Sequence, residues 1–306
     1  MNMKTLIHKC LAAFLVMAAS SICVFSQTRT VEHDLSPFEG IEASNGFKVS
    51  ISISDQCGVK LTVDDALESY VQCYVKAGVL HLGLDEKNVP KDLKKSYKGR
   101  NTADPTLAAI VYLPTLKSLT LNDNSQFFSA VGIASGEFTI NMTGSSVVDN
   151  LKVIGKTIVI SVGKNAKFTN AQVTAEGDVN ATCDGRGALV MACDARSLIV
   201  NGGGSALVDI KSTVDEKVKV SCAGGAGINL SGSAASLDVD GKGTSAKVDA
   251  SMLDIKDATI SVSGVSVNVK PSENLELDLG RGSDVTFSGN PVINIVKIQN
   301  SSVTRK

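Results

Sequence analysis

The chain has 306 residues, with 30 Lys and Arg against 31 Asp and Glu, and this near-neutral balance excludes the strongly basic surface of a nucleic-acid-binding protein. Hydrophobic residues make up 43%, which is enough for a buried core and too many for a disordered chain. Aromatic residues make up only 4% and tryptophan is absent, which argues against a carbohydrate-binding surface built from stacked rings.

Residues 1–26 have the features of an export signal. Lys4 and Lys9 give a positive start, residues 10–25 form an apolar run, and polar residues follow. The run is shorter than the roughly 20 residues that span a bilayer. A lipoprotein anchor at Cys23 is the weaker alternative, because a bulky residue precedes this cysteine. We therefore predict an exported protein of the periplasm or cell surface, whose mature chain has no transmembrane segment.

The first part of the mature chain, residues 27–118, predicts strands at irregular spacing. A strand, a turn at Asn45–Gly46 and a second strand come first, and further strands begin near Val59, Val71 and Val79. His81 alternates with apolar neighbours and so points away from them. We interpret it as a solvated strand residue rather than a ligand.

Residues 85–105 interrupt this pattern. The segment contains Pro90, ends at Pro105, and carries several basic residues among a few acidic ones; the basic residues are Lys87, Lys91, Lys94, Lys95, Lys98 and Arg100. We interpret it as a surface excursion with one helical turn. A partner-binding flap is the alternative.

A short alternating strand recurs along the rest of the chain. Successive copies begin 19 to 21 residues apart, at Leu119, Phe138, Ile158, Val179, Leu198, Val218 and Leu237. Less regular copies begin near Ile260 and Leu275. Most copies are followed by a turn rich in small or polar residues, often glycine, which suits tight corners that need a positive φ angle.

A period near 20 residues, made of strand, turn, strand and turn, predicts a single-chain β-solenoid. A right-handed parallel β-helix is favoured by the general crossover preference. The competing fold is an antiparallel β-sandwich, which has a similar strand spacing but does not account for the resemblance between whole units. The solenoid interpretation makes residues 27–306 one domain, in which residues 119–298 form regular coils and a cap over the last coil, and residues 299–306 form a loose tail.

Five cysteines follow the export signal, and none belongs to a CxxC pair. Their odd number and irregular spacing predict neither a disulfide framework nor a structural zinc site. The repeat places Cys183 and Cys222 in one inward column with Met142 and Val162, two coils apart. At about 4.8 Å per coil their Cα atoms would lie roughly 9 to 10 Å apart, which is too far for a disulfide. We therefore predict buried core residues.

Acidic residues are plentiful enough to raise the question of a calcium site, since Ca²⁺ prefers oxygen ligands. The candidates are Asp64, Asp65, Asp238, Asp240, Asp249, Asp254, Asp257, Asp278 and Asp284. No segment matches a calcium-binding repeat or loop, so we interpret them as solvated. The Gly-rich runs 202–204 and 224–227 open no predicted helix, which disfavours a nucleotide site, and residues 281–284 are read as a coil corner. We predict no catalytic residue, metal or cofactor.

Three stretches resemble the auto-transporter adhesin family with the head GIN domain. They are residues 38–51, residues 111–125, and the following Gly- and Ser-rich coils that include residues 227–229. The resemblance covers roughly residues 36–290. It implies a β-helical exported protein of the bacterial envelope, with adhesion suggested by the family name and with no catalytic residues to carry over.

Two functional hypotheses follow. The first is an exported, non-catalytic envelope protein, an adhesin or a scaffold, that presents a β-helical face to a glycan or a protein partner. The second is a β-helical polysaccharide lyase or glycoside hydrolase, which needs a walled cleft and a cluster of acidic and basic residues. No insertion after residue 119 is long enough to wall a cleft, so the first is favoured. A homo-oligomer formed through an end coil is left open.

Overall fold

A computed structural model describes residues 27–97, 104–243 and 245–306, and their regular secondary structure is almost entirely β-strand. The elements, in chain order, are β1 (Thr28–Asp34), β2 (Gly40–Ala43), β3 (Lys48–Ile53), β4 (Gly58–Asp64), a 3-10 helix (Asp65–Tyr70), β5 (Val71–Lys76), β6 (Val79–Leu84), α1 (Lys91–Ser96), β7 (Leu107–Leu113), β8 (Ser118–Leu121), β9 (Gln126–Phe128), β10 (Ile133–Met142), β11 (Val147–Asp149), β12 (Lys152–Val162), β13 (Lys167–Ala175), β14 (Asp178–Cys183), β15 (Ala188–Gly202), β16 (Leu207–Ala223), β17 (Gly227–Ser233), β18 (Ser236–Lys242), β19 (Lys247–Ser263), β20 (Ser266–Leu279), β21 (Asp284–Phe287), β22 (Val292–Ile298) and β23 (Ser302–Arg305). The predicted export signal and residues 98–103 of the basic excursion lie outside the described residues.

Successive coils pair in parallel, one above another, at the predicted spacing. Ile140 lies beside Leu119 on one side and Ile160 on the other, and the same ladder continues to Ala181 and Val200. The predicted β-solenoid with about 20 residues per coil is therefore confirmed. The alternative of two facing antiparallel layers is wrong for these coils. The right-handed coiling stays a prediction.

Each regular coil contributes to three ladders, which we call sides 1, 2 and 3. In one coil, residues 158–162 pair with 179–183 on side 1, residues 167–169 pair with 147–149 on side 2, and residues 172–175 pair with 152–155 on side 3. A four-residue corner turn joins side 1 to side 2. A single bend at Asn170, with φ of 54°, separates sides 2 and 3.

Side chains that point inward form columns through the stack. Met142, Val162, Cys183 and Cys222 occupy one column, with Gly202 between the two cysteines, and all four side chains are buried. The predicted core role of these cysteines is confirmed. Burial raises the pKa of the Cys183 and Cys222 thiols to about 11. A thiol that stays protonated at neutral pH is a poor nucleophile.

The corner turns stack as closely as the strands. One residue in each has a positive φ, as in Gly144 (76°), Gly185 (70°) and Gly204 (62°). The turns also bond to one another, because the backbone N–H of Gly225 donates to the carbonyl of Gly204 at 2.7 Å. A Cβ atom at Gly204 would lie only 2.8 Å from the Gly185 carbonyl oxygen, so glycine is required by both geometry and space. The Gly-rich runs of the sequence are thus corners, as residues 281–284 also are.

The N-terminal end departs from the parallel pattern. Strand β1 runs antiparallel to β4, and β4 runs antiparallel to β7. Strands β5 and β6 form an antiparallel hairpin, whose β6 joins the side-1 ladder through β2. The predicted turn at Asn45–Gly46 is present, with φ of 57° and 82°. Part of the basic excursion forms α1.

The C-terminal end continues the parallel ladders. Strand β22 pairs with β20 on side 1, and its apolar residues are exposed, for example Ile295 at 56% and Val296 at 61%. The segment lies over the preceding coil by continuing its ladder, so that β22 itself is the outermost side-1 strand of the described residues. Strand β23 pairs with β21, so the last residues are not the loose tail expected.

Candidate functional site

The outward residues of side 1 form a polar column beside the corner turns. Because strand side chains alternate, the residue next to the last inward position of each side-1 strand points to solvent. The register stacks ten such residues, and we call them the polar column: Thr120, Asn141, Ser161, Thr182, Asn201, Ser221, Asp240, Ser261, Asp278 and Lys297. All are polar and most are small.

A groove follows this column along the stack. Three depressions of about 270, 630 and 400 Å³ lie between the column and the corner turns. The first shares Thr182 and Asp184 with the second, and the second shares Asp240 and Lys242 with the third. They are therefore one continuous depression, which we call the corner groove. Nine coil steps at ~4.8 Å give it a length of about 43 Å.

The groove exists because its floor lacks large side chains. Around the second depression, Gly202 and Gly241 occupy positions in the inward column, and Gly203, Gly204 and Ala223 form the neighbouring turns. A Cβ atom at Gly203 would lie 2.7 Å from the Asp184 carboxylate. The sequence therefore keeps backbone at the surface, where a ligand can approach it closely.

The two halves of the groove differ in charge. From Thr120 to Ser221 the polar column offers only hydroxyl and amide groups. From Asp240 onward, two carboxylates of the column lie near Lys242, Arg281 and Lys297. Among the residues that the structure describes, none of these charged groups forms an ion pair within the column or elsewhere. They remain available to a bound partner.

The corner groove is an open surface whose charged groups stand apart from one another. Asp240 and Asp278 are exposed and stand two rungs apart, with Ser261 between them. Short corner turns give the groove no walls that exclude water. The part of the chain that is described contains no group of three or more His, Cys, Asp or Glu residues suited to a metal ion.

The acidic residues considered as calcium ligands lie at separate places. Asp238 pairs with Lys217 at 2.8 Å, and Asp254 pairs with Lys270 at 3.2 Å. Asp64 differs from the expectation of a solvated side chain, because it is only 2% exposed and accepts a hydrogen bond from the Thr106 backbone at 3.2 Å. For Asp64 the prediction is wrong.

His81 points outward, as its alternation predicts, but it is packed rather than fully solvated. Its ring stacks on Tyr74 with the centroids 4.9 Å apart, and its Nδ1 lies 3.3 Å from a carboxylate oxygen of Glu42. Both partners lie on neighbouring strands, β5 and β2. These contacts join the terminal hairpin to the first coil.

The corner groove itself was missed by the sequence analysis. A usable signal was present, since a small polar residue stands at the same place in successive repeats. Superposing the repeats on the apolar pattern would have revealed the polar column. The volume of the groove could not be predicted from the sequence, because it depends on how closely the corner turns stack.

Stacked parallel coils define the protein as a β-solenoid. In such a fold the repeat itself builds an extended exposed surface, here the one that carries the corner groove. The part of the chain that is described has no helix of the length and apolar character that membrane crossing requires. The chain belongs to the family described as "Putative auto-transporter adhesin, head GIN domain", whose model matches residues 37–212 and, overlapping these, residues 152–291. The resemblance noted in the sequence is confirmed.

Several solved structures are similar to the chain. A "putative adhesin" from Parabacteroides distasonis is 17% identical, with a TM-score of 0.48, and the match covers 92% of this chain and 98% of that one. A "putative adhesin" from Parabacteroides merdae is also 17% identical, with a TM-score of 0.47 and coverage of 92% and 97%. A "Putative lipid binding protein" from Parabacteroides distasonis is 18% identical, with a TM-score of 0.45 and coverage of 92% and 98%. No curated protein matches the chain.

Proposed function

We propose that this protein is an exported, non-catalytic component of the cell envelope that binds a linear glycan along the corner groove. The observation that carries the proposal is the continuity of the groove, because ten successive coils each place one polar side chain in the same column. A ligand with hydrogen-bonding groups at every unit can contact many coils at once. Family membership supports an adhesin-like role.

A glycan fits the groove better than a protein strand. An extended peptide usually joins a sheet at a free edge, where unpaired backbone groups accept it. Along the corner groove every side-1 strand between β8 and β20 already pairs on both sides, so no such edge is offered. The hydroxyl, amide and carboxylate groups of the column suit sugar hydroxyls. The groove lining contains no aromatic ring, so weak binding per coil is expected.

The test is a screen of the purified protein on acidic and neutral linear glycans, followed by two matched substitutions. Ser221→Leu replaces a hydroxyl of the polar column with a larger apolar side chain in the middle of the groove, and Thr213→Leu makes the matching change on side 3. We expect Ser221→Leu to weaken glycan binding at least tenfold, about 1.4 kcal/mol, because a hydrogen-bonding group is lost and the groove is narrowed, while Thr213→Leu leaves it unchanged. Equal effects of the two variants would contradict the proposal. Cleavage of any glycan would instead support the lyase or hydrolase alternative.

A further inference from the structure

A separate cavity of about 390 Å³ lies at the N-terminal end of the molecule, where the basic excursion meets the first corner turn. We call it the N-terminal cavity. Its volume falls within the range of roughly 300 to 1,000 Å³ typical of small-molecule sites. It shares no lining residue with the corner groove, so its role is independent of the proposed glycan binding.

The floor of the N-terminal cavity is apolar and comes from three elements. Leu67 of the 3-10 helix is 2% exposed, and Val89, just before α1, is 6% exposed. Leu84 at the end of β6 and Tyr97 after α1 pack against the same core. Helix α1 itself buries no residue, so it forms a wall beside the cavity without filling it. An apolar ligand body would be removed from water on this floor.

The rim of the cavity is acidic and its geometry is fixed by one residue. The Asn45 side chain donates a hydrogen bond to Glu86 at 2.9 Å, and the Asn45 backbone N–H donates to Asp123 at 3.2 Å. Asn45 is held in turn by the backbone N–H of Leu84, which donates to Oδ1 of Asn45 at 2.9 Å. The two carboxylates belong to different parts of the chain and are brought to one rim by this residue.

Each carboxylate has one oxygen committed to Asn45. Within the described ranges, the other oxygen of Glu86 and of Asp123 accepts no hydrogen bond, and neither carboxylate forms an ion pair. Among the described residues, the cationic side chain that lines the cavity is that of Lys94. The two carboxylates outnumber this one ammonium, so the described part of the rim favours a cationic head group.

We infer that the N-terminal cavity binds a small amphipathic amine. Its apolar body would lie on Leu67, Val89 and Tyr97, and its ammonium group would donate to the remaining oxygens of Glu86 and Asp123. Charge-assisted hydrogen bonds of this kind are stronger than those between neutral groups. The cavity therefore discriminates by charge at the rim and by apolar length at the floor.

Calorimetric titration of the purified protein with n-hexylamine, hexan-1-ol and hexanoate at pH 7 and low salt tests this inference. These probes share one apolar body and differ in head group. We expect hexylamine to bind at least fivefold tighter than hexanol, and hexanoate to bind most weakly. Binding of hexanoate as tight as that of hexylamine would overturn the inference, as would failure of hexylamine to bind.

Substitutions at the exposed rim then locate the site without disturbing the core. Glu86→Gln and Asp123→Asn should each weaken hexylamine binding several-fold and leave hexanol binding unchanged. Glu137→Gln removes an exposed carboxylate far along the chain and serves as the matched control. Equal hexylamine affinity in all three variants and the unsubstituted protein would show that the amine binds elsewhere. None of these residues lines the corner groove. Failure of the amine inference would therefore not count against the proposed glycan binding.

Discussion

The two ends of the solenoid are built in different ways. At the N-terminal end the chain reverses direction, and its outermost side-2 strand, β1, carries Arg29, Glu32 and Asp34. At the C-terminal end the parallel ladder simply runs on through β22, whose apolar residues are exposed. Charged residues on a terminal strand discourage further strand pairing, whereas an apolar strand invites it. Among the described residues, the outer strands of the two ends therefore differ in how strongly they favour further pairing.

The difference between the regular coils and the C-terminal end can be measured as a difference in the free energy of unfolding at two positions of one inward column. Ile160 and Ile295 occupy the same inward column, but Ile160 is 1% exposed between two coils and Ile295 is 56% exposed beyond the last one. Ile160→Ala should lower the free energy of unfolding by about 2 to 5 kcal/mol. Ile295→Ala should lower it by less than about 1 kcal/mol, because folding removes little of the apolar surface of Ile295 from water.

Urea denaturation of both variants against the unsubstituted protein gives the comparison. Equal losses would show that β22 is covered in solution and that the contrast between the ends does not hold.

The corners offer a second comparison between the N-terminal turn and the regular coils. Gly46 and Gly204 both have a positive φ, but a Cβ at Gly46 meets nothing within 4 Å, whereas one at Gly204 lies 2.8 Å from a backbone oxygen. Gly46→Ala should cost about 1 kcal/mol, from backbone strain alone. Gly204→Ala should cost a further 1 to 3 kcal/mol, because the coils must separate to admit the methyl group. Thermal unfolding of the pair measures the difference, and a larger loss for Gly46→Ala would refute this account of the corners.

The smallest expected effect concerns pH, over the range from pH 8 to pH 10. Burial raises the pKa of the Cys193 thiol from 9.0 to about 12. The unfolded chain therefore loses this proton first as pH rises. The stability that the neutral thiol contributes is fully present below pH 9 and is lost progressively towards pH 12, at up to about 1.4 kcal/mol per pH unit.

Urea unfolding at pH 8, 9 and 10 should show a shallower decline for Cys193→Val than for the unsubstituted protein. Parallel declines would mean that the thiol is not protected by the coils.

The sequence was informative wherever a residue's role depends on its own repeat. The alternation around Ile140 and Ile160, and the glycines at corners such as Gly204, were enough to predict the coils, their period and the buried cysteines. The Asn45–Gly46 turn was also readable, because its residue types specify its backbone angles. These features are local, so one copy of the pattern carries the information.

Features that depend on distant partners were not predicted. The antiparallel reversal of β4 was missed because alternation within a strand does not encode its direction. The burial of Asp64 depends on Thr106, far along the chain. The corner groove and the N-terminal cavity arise from residues of several coils, whose alignment is set by register. Their positions follow from the stacking and not from any single segment.

The pairing register of the coils also affects how such a protein could change in length during evolution. Each rung relies only on the rungs beside it, and the corners repeat a residue of positive φ, most often glycine. Duplicating or deleting one whole unit of about 20 residues would leave the alignment of all the others intact and would alter the reach of the molecule by a single increment of ~4.8 Å. The binding footprint is thereby adjustable in whole steps.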